Sequence, residues 1–472
     1  NNIKVDGKGY DIIIKDTLGY QGIFRNINNS NITIENIKTS SEGLSSLGRY
    51  TGVTGQIFFG NGVNNKNNTV NNIIDDMVID NEFCGGVLGS NSKATVTNCS
   101  NSGDITGIDA GGVLGAFSVA TITNCSNSGD MTGISAGGIV SSDCDVIVDN
   151  CINNGNFLSG QNGRITGPST GGIITNCINN GSIQSNDDCG GITGVVCGET
   201  TGSIIIKNCV NNGSMTNGSF GHGGIAGFLA GRQATMLIED CINNGSMSDF
   251  GHGGIAGAGV NNISGSTIIK RCINNGLIDS STQGVSGITG YLTNIGGNDL
   301  TIEDCENYGN INGTNCGGIT GYLTVGEINI LKCYNKGIIN GSNCGGIAAP
   351  SLGIDDPYGN NLGNKINIDN CYSKSLITNT NSNGLIAPIL GNVYQNINVN
   401  NCYTLNGAIS SDSANPLVTI TNSYEPMGTW NDTDASDNLV GGPIPPSLVG
   451  EVWTDPSGTT TDTPWNLTNN PE

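Results

Sequence analysis

Charge is scarce in this chain, and positive charge is scarcest. Charged residues make up 12% of 472, with 17 Lys and Arg against 39 Asp and Glu, for a net charge of −22. Binding along a nucleic-acid backbone draws on clustered cations, so that class of function is excluded, and an acidic membrane surface would repel the chain. Aromatic residues are only 5%, which rules out a core built on large rings. No apolar run approaches the ~18–20 residues that span a bilayer as a helix. Good helix formers at a 3.6-residue period are missing, which argues against helical repeats. Paired CxxC knuckles for structural zinc are missing too. An initiating Met and a leader are not seen before Asn1, so a processed product or part of a longer protein is expected.

What is abundant is Gly (75 residues), Asn and Cys (17). Such a composition invites disorder, because little apolar surface is available to offset chain entropy. The regular recurrence of Ile and Val argues otherwise. Seventeen thiols cannot all pair within one chain, so at least one is free or pairs between molecules.

The phrase "NCINNGSI" at 176–183 returns in close copies. Eleven cysteines share its phase: Cys99, Cys125, Cys151, Cys177, Cys209, Cys241, Cys272, Cys305, Cys333, Cys371 and Cys402, at spacings from 26 to 38 residues. A 26-residue core is kept and the extra residues are loops. Three residues before the cysteine stands a β-branched residue (Ile122, Val148, Ile174, Ile206), often with another apolar residue two earlier. That alternation predicts a short strand with one buried face. The residue just before the cysteine is Asn, Asp, Lys332 or Arg271, so alternation breaks there, as at a corner.

Two residues after the cysteine stands Asn: Asn101, Asn127, Asn153, Asn179, Asn211, Asn243, Asn274, Asn307 and Asn335. Gly follows, then an apolar residue opening a second strand. A "GGIAG"-like phrase supplies the third apolar stretch. Propeller blades need about 40–45 residues, more than this repeat supplies. The expected fold is all-β: a right-handed parallel β-helix, or β-solenoid, with three short strands per coil. About 26–33 residues per coil and roughly 12–14 coils stacked about 4.8 Å apart give a rod of about 60–70 Å. The Asn amides then stack into a hydrogen-bonded ladder, and the cysteines fill a tight corner as small apolar groups. Residues 1–80 read as irregular opening coils, 81–410 as the regular solenoid, and 411–472 as a last coil with a cap. The last segment holds eight of the twelve prolines and all three tryptophans.

The phrases "GGVLG" (85–89, 111–115), "GGITG" (190–194, 317–321) and "GGIAG" resemble the GLUG motif, and "NC-Y/I-N-x-G" resembles its companion. The resemblance covers roughly residues 80–410, with Ile or Val in place of the motif's Leu in most copies. It implies kinship with microbial surface and adhesin-like repeat proteins and with virus-encoded β-solenoids, and it carries no chemistry of its own.

Several constellations are candidate sites. Asp187-Asp188 with "GHG" at 221–223 and 251–253 resembles elements of parallel β-helix polygalacturonases, whose carboxylates hydrolyse sugar bonds. The companion elements are missing, and GHG is the GG phrase with His before it. That preceding position holds Cys84, Cys189, His222, His252, Cys316 and Cys344 among others. His222, His252 and Cys189 on successive coils form a candidate zinc site, against two stacked imidazoles as the plain alternative. Cys316 and Cys344 form a candidate disulfide. Sequons such as Asn98 and Asn124 overlap the repeated phrase and are expected to be poor glycan acceptors. Outward Thr rows suit an ice-binding surface, but irregular insertions spoil the flatness it needs.

The function expected is non-enzymatic: a rigid surface fibre, spike or stalk segment, extracellular on a virion or cell, displaying loops for adhesion. A glycan or protein receptor, neighbouring surface subunits or a homo-oligomer would be its partners, with no nucleic acid, membrane span or cofactor. The loops around 156–170, 195–203, 258–266 and 350–364 exceed the core repeat and are the attachment candidates. A glycan-binding adhesin and a polysaccharide-active β-helix hydrolase or lyase are the alternatives. So many thiols without a disulfide pattern suit assembly in a reducing cytoplasm.

Overall fold

The computed structural model describes residues 3–24, 31–42, 46–53, 68–158, 163–184, 189–199, 201–218, 221–260, 265–291, 299–322, 327–349, 365–374, 384–386, 396–404, 408–410, 418–421 and 423. No helix occurs among them, and every strand pairing is parallel. The chain winds as the right-handed parallel β-helix that its repeat predicts, the hand that parallel crossovers take.

The segment before the cysteine forms the longest strand of most coils. Val119–Thr123 pairs residue for residue with Lys93–Thr97 on one side and Asp145–Asp149 on the other. Longer spacings do not disturb this register, since Gly171–Thr175 meets Ser203–Lys207 in step across 32 residues. The register holds because the β-branched residue three before the cysteine must stay inside. Ile122, Val148, Ile174, Ile206, Ile238 and Ile269 are all fully buried, and a slip of one residue would turn the row out to water.

At the residue before the cysteine the chain turns through the left-handed region. From Asn98 to Asn401 that position has φ between 50 and 55° in all eleven coils. Asn and Asp enter this region most cheaply among residues with a side chain, which accounts for their dominance there.

A two-residue strand follows, for example Ile152–Asn153 between Ser126–Asn127 and Ile178–Asn179. The apolar residue four places on begins the third strand. It is a single bridge at Ile105, Met131 and Phe157, and widens into a six-stranded sheet from Ile183–Gln184 to Ile339–Asn340.

The GG phrase differs from the apolar strand read in the sequence. It is a tight turn gripped at both ends by bridges, such as Gly223 to Gly253 and Ala226 to Ala256. Its second glycine is pressed against the Asn ladder: a Cβ on Gly224 would lie 2.4 Å from Asn243 Cγ. Close approach, rather than strand propensity, writes that phrase.

Two apolar columns fill the interior. One combines the inward strand residues, the cysteines and the third residue of the GG turn. The other stacks the third-strand residue on the position before the GG phrase, and it divides into a part ending at Phe157 and a part beginning at Ile183.

The main sheet runs from Ile3–Asp6 and Asp11–Lys15, which share Ile32–Glu42 as neighbour, to Val418–Thr421 on Asn396–Asn400. Counting the first pair as one, fifteen tiers are joined, and fourteen steps of about 4.8 Å make about 67 Å. Val418–Thr421 is the last coil read in the sequence; the cap expected after it lies outside the described residues.

Candidate functional site

The repeated phrase builds two interior ladders. In the first, each Asn Nδ2 donates to the Oδ1 of the next coil: Asn101 to Asn127 at 2.7 Å, Asn127 to Asn153 at 2.9 Å, Asn153 to Asn179 at 3.0 Å and Asn179 to Asn211 at 2.7 Å. The run continues through Asn243, Asn274 and Asn307 to Asn335, at 2.7 to 2.8 Å. The second Nδ2 hydrogen closes the local turn, as from Asn179 to Gly181 O at 2.9 Å, and Gly181 N–H returns to Asn179 Oδ1 at 3.1 Å. A buried amide left unpaired is costly, so the run is Asn at every tier from Asn101 to Asn335, with Ser373 and Thr404 above it.

Below Asn101 the same column holds Asp75. Its Oδ1 plays the amide oxygen's part, accepting from Met77 N–H at 3.1 Å and from Thr39 Oγ1 at 2.9 Å. Its Oδ2 stands where the amide nitrogen would, and neither Asp75 Oδ2 nor Asn101 Oδ1 has a partner. Burial, and to a smaller degree the neighbouring Asp76 charge, push this carboxyl up to about 8 against the hydrogen bonds that favour its ionisation. The protonated acid is the form that fits, since an Oδ2–H is a donor in the amide's place.

In the second ladder, Cys99 N–H donates to Cys125 Sγ and Cys125 N–H to Cys151 Sγ, both at 3.4 Å. Each thiol leans on a carbonyl of its own corner, as Cys177 on Thr175 O at 3.1 Å. All seventeen cysteines are buried and unbridged. Off the ladder, burial pushes the Cys84 and Cys144 thiols up to about 12. Thiols of this kind are core filler and poor nucleophiles.

The remaining sequence candidates fall as follows. Cys316 and Cys344 stack, but Cys316 N–H donates to Cys344 Sγ at 3.4 Å, and the thiols turn to Thr314 O and Ser342 O. Parallel side chains on adjacent coils leave these sulfurs unbonded. His222 and His252 are brought together as stacked rings, with centroids 4.9 Å apart and planes at 11°. Each Nδ1 accepts a backbone N–H from the coil before, His222 from Cys189 and His252 from His222, both at 3.0 Å. His252 Nε2 reaches Ser248 O at 2.8 Å. Backbone groups thus occupy three of the four ring nitrogens. Among the described residues no group of three or more His, Cys, Asp or Glu side chains is arranged to hold a metal ion. Both rings are fully buried, out of reach of a polysaccharide. Asp187 and Asp188 lie outside the described residues.

Outside the coil, Asn98 and Asn124 are exposed rather than buried, and they bond each other at 3.2 Å. Asn180, Asn212, Asn244 and Asn275 form a similar exposed ladder at 2.9 Å per step. The densest charge cluster surrounds Glu239, met by Lys207, by Lys270 at 2.8 Å and by Arg271, which also grips Asp240 at 2.7 Å. Burial alone would raise the Glu239 carboxyl, but these three cations hold it low, at about 2. Of the attachment loops, 156–170 is largely interior where described, with Phe157, Arg164 and Thr170 fully buried, and Val195–Glu199 and Ala258–Val260 are turns in which Cys197, Ala258 and Val260 are buried; 159–162, 261–264 and 350–364 lie outside the described residues.

Neither a family model, nor a curated protein, nor a solved structure matches the chain. No helix among the described residues is long and apolar enough to cross a membrane.

Proposed function

We propose that this protein is a non-enzymatic attachment rod: a rigid fibre, spike or stalk segment on the surface of a virion or cell. Its irregular loops are held out to a glycan or protein receptor. The observation that carries this reading is the main-sheet register, unbroken among the described residues from Ile32–Glu42 to Val418–Thr421 through insertions of varying length. A chain that keeps its core invariant while its loops vary is built to hold surfaces apart from a fixed axis. The resemblance of its GG phrases to GLUG repeats supports the same reading.

The test is localisation by immunoelectron microscopy together with binding to a glycan array. Labelled surface projections, and glycan binding without release of reducing ends, are the expected result. Turnover of a polysaccharide by the purified chain would replace this reading with the β-helix hydrolase or lyase.

A further inference from the structure

In the turn Gly163–Gly167, Arg164 stands where neighbouring coils carry Gly138 and Gly191. That position is glycine elsewhere for a steric reason. A Cβ on Gly138 would lie 2.6 Å from Asn153 Oδ1, and one on Gly191 2.5 Å from Asn211 Cγ. Arg164 places a side chain at this position, and its environment carries a further cost. It is fully buried, its guanidinium lies 3.7 Å above the Phe157 ring, and Nε, Nη1 and Nη2 have no hydrogen-bond partner. A guanidinium keeps its charge inside proteins, and an unpaired charge in a dry interior is costly enough that a counter-charge accompanies it.

A second unsatisfied donor lies two coils away, at the position two residues earlier in the turn. The bridges from Gly163 to Gly190 and from Gly190 to Gly223 set Cys189 one coil above Arg164 and His222 two coils above. His222 Nδ1 accepts the Cys189 N–H, which leaves the ring proton on Nε2, and that buried nitrogen has no partner. Burial first, then His252 and the Arg164 charge, hold the His222 pKa well below its usual value, so the ring is a neutral donor. The cluster therefore presents donors and one positive charge. It sits at the break in the second apolar column, between Phe157 and Ile183.

We propose that this break is an anion site, in which a small inorganic monoanion of the halide class neutralises Arg164 and accepts from His222 Nε2–H. One fixed charge and apolar walls select a monoanion over phosphate or sulfate, whose second charge would stay unpaired.

The test compares thermal unfolding of the full chain in sodium chloride, sodium bromide and sodium gluconate at equal ionic strength. For wild type the midpoint should rise with the logarithm of halide concentration and be lowest in gluconate, as for a ligand bound only by the folded state. Arg164→Gly restores the turn found in the other coils, so it should fold, lose the halide dependence and exceed wild type in gluconate. Bromide-soaked crystals should show one interior anomalous peak beside Arg164. Equal wild-type midpoints in chloride and gluconate would overturn the proposal, as would a halide dependence that survives Arg164→Gly. So would destabilisation by Asp187→Asn with Asp188→Asn without any halide effect in wild type, because a carboxylate of the chain would then supply the counter-charge.

Discussion

Asp75→Asn should stabilise the protein at neutral pH, and its effect should vanish in acid. The Asp75 carboxyl is fully buried and pushed from 3.8 up to about 8. Below the lower value both folded and unfolded chains hold the proton, and the fold loses nothing. Between the two values the unfolded chain releases the proton and the folded chain keeps it. Stability therefore falls as pH rises, by about 1.4 kcal/mol per pH unit. Above about 8 the folded state ionises too and the loss levels off. At pH 7 the deficit relative to pH 4 amounts to about 4 kcal/mol. Asparagine has the same shape, supplies Nδ2–H to Asn101 Oδ1 and does not titrate. Urea unfolding from pH 4 to 9, with hydrogen exchange of the amides in Thr69–Asp75 and Lys93–Thr97, reads both chains. The variant should match wild type near pH 4 within about 1 kcal/mol and exceed it by about 3–4 kcal/mol at pH 7. Thr39, Asp76 and the half-buried Tyr20 also sense this site; all three remain in the variant, so the comparison reads the Asp75 charge together with its coupling to them. Parallel pH profiles for the two chains would refute the neutral-acid reading.

Three further outcomes are expected. Asn179→Ala cuts the ladder in its middle and should cost about 2–4 kcal/mol in urea unfolding, whereas substitution of the exposed Asn180 should cost under about 0.5 kcal/mol. Asn150→Val forces a β-branched residue into the left-handed corner, for a loss of about 1–3 kcal/mol by thermal melting; Lys332→Asn at the equivalent corner should gain up to about 1 kcal/mol. Intact mass should be the same with and without reductant, and a thiol reagent should label few cysteines natively but all 17 in denaturant; a gain of two hydrogens on reduction would reveal a disulfide.

Periodicity made the coil legible because each repeated letter has a single physical job that recurs every tier. Ile174 must be inside, Asn179 must bond both neighbours, and Cys177 must be small. The left-handed φ at Asn176 and its equivalents was visible as a break in alternation, although alternation alone does not specify backbone sign. The GG phrase misleads because apolar residues next to glycine read as strand, when the second glycine answers to an Asn side chain 15 to 20 residues away. Asp75 and Arg164 were hidden for a different reason. Each occupies a column defined by neighbours in space, and assigning either to its column needs the register of a loop whose length varies. The departure of "GRITG" from the GG pattern was present in the sequence as a signal, but its meaning depended on burial.

The Asn ladder has a direction. Every Nδ2 points toward the C-terminal end, from Asn101 to Asn335, so an acceptor faces one end of the column and a donor the other. The run is closed inside the rod, by Asp75 below Asn101 and by Ser373 above Asn335. Its two closures therefore answer unlike demands, since the lower one must donate and the upper one must accept. The tiers that end the ladder cannot be exchanged, and the rod has a sense along its axis that its repeated core does not show.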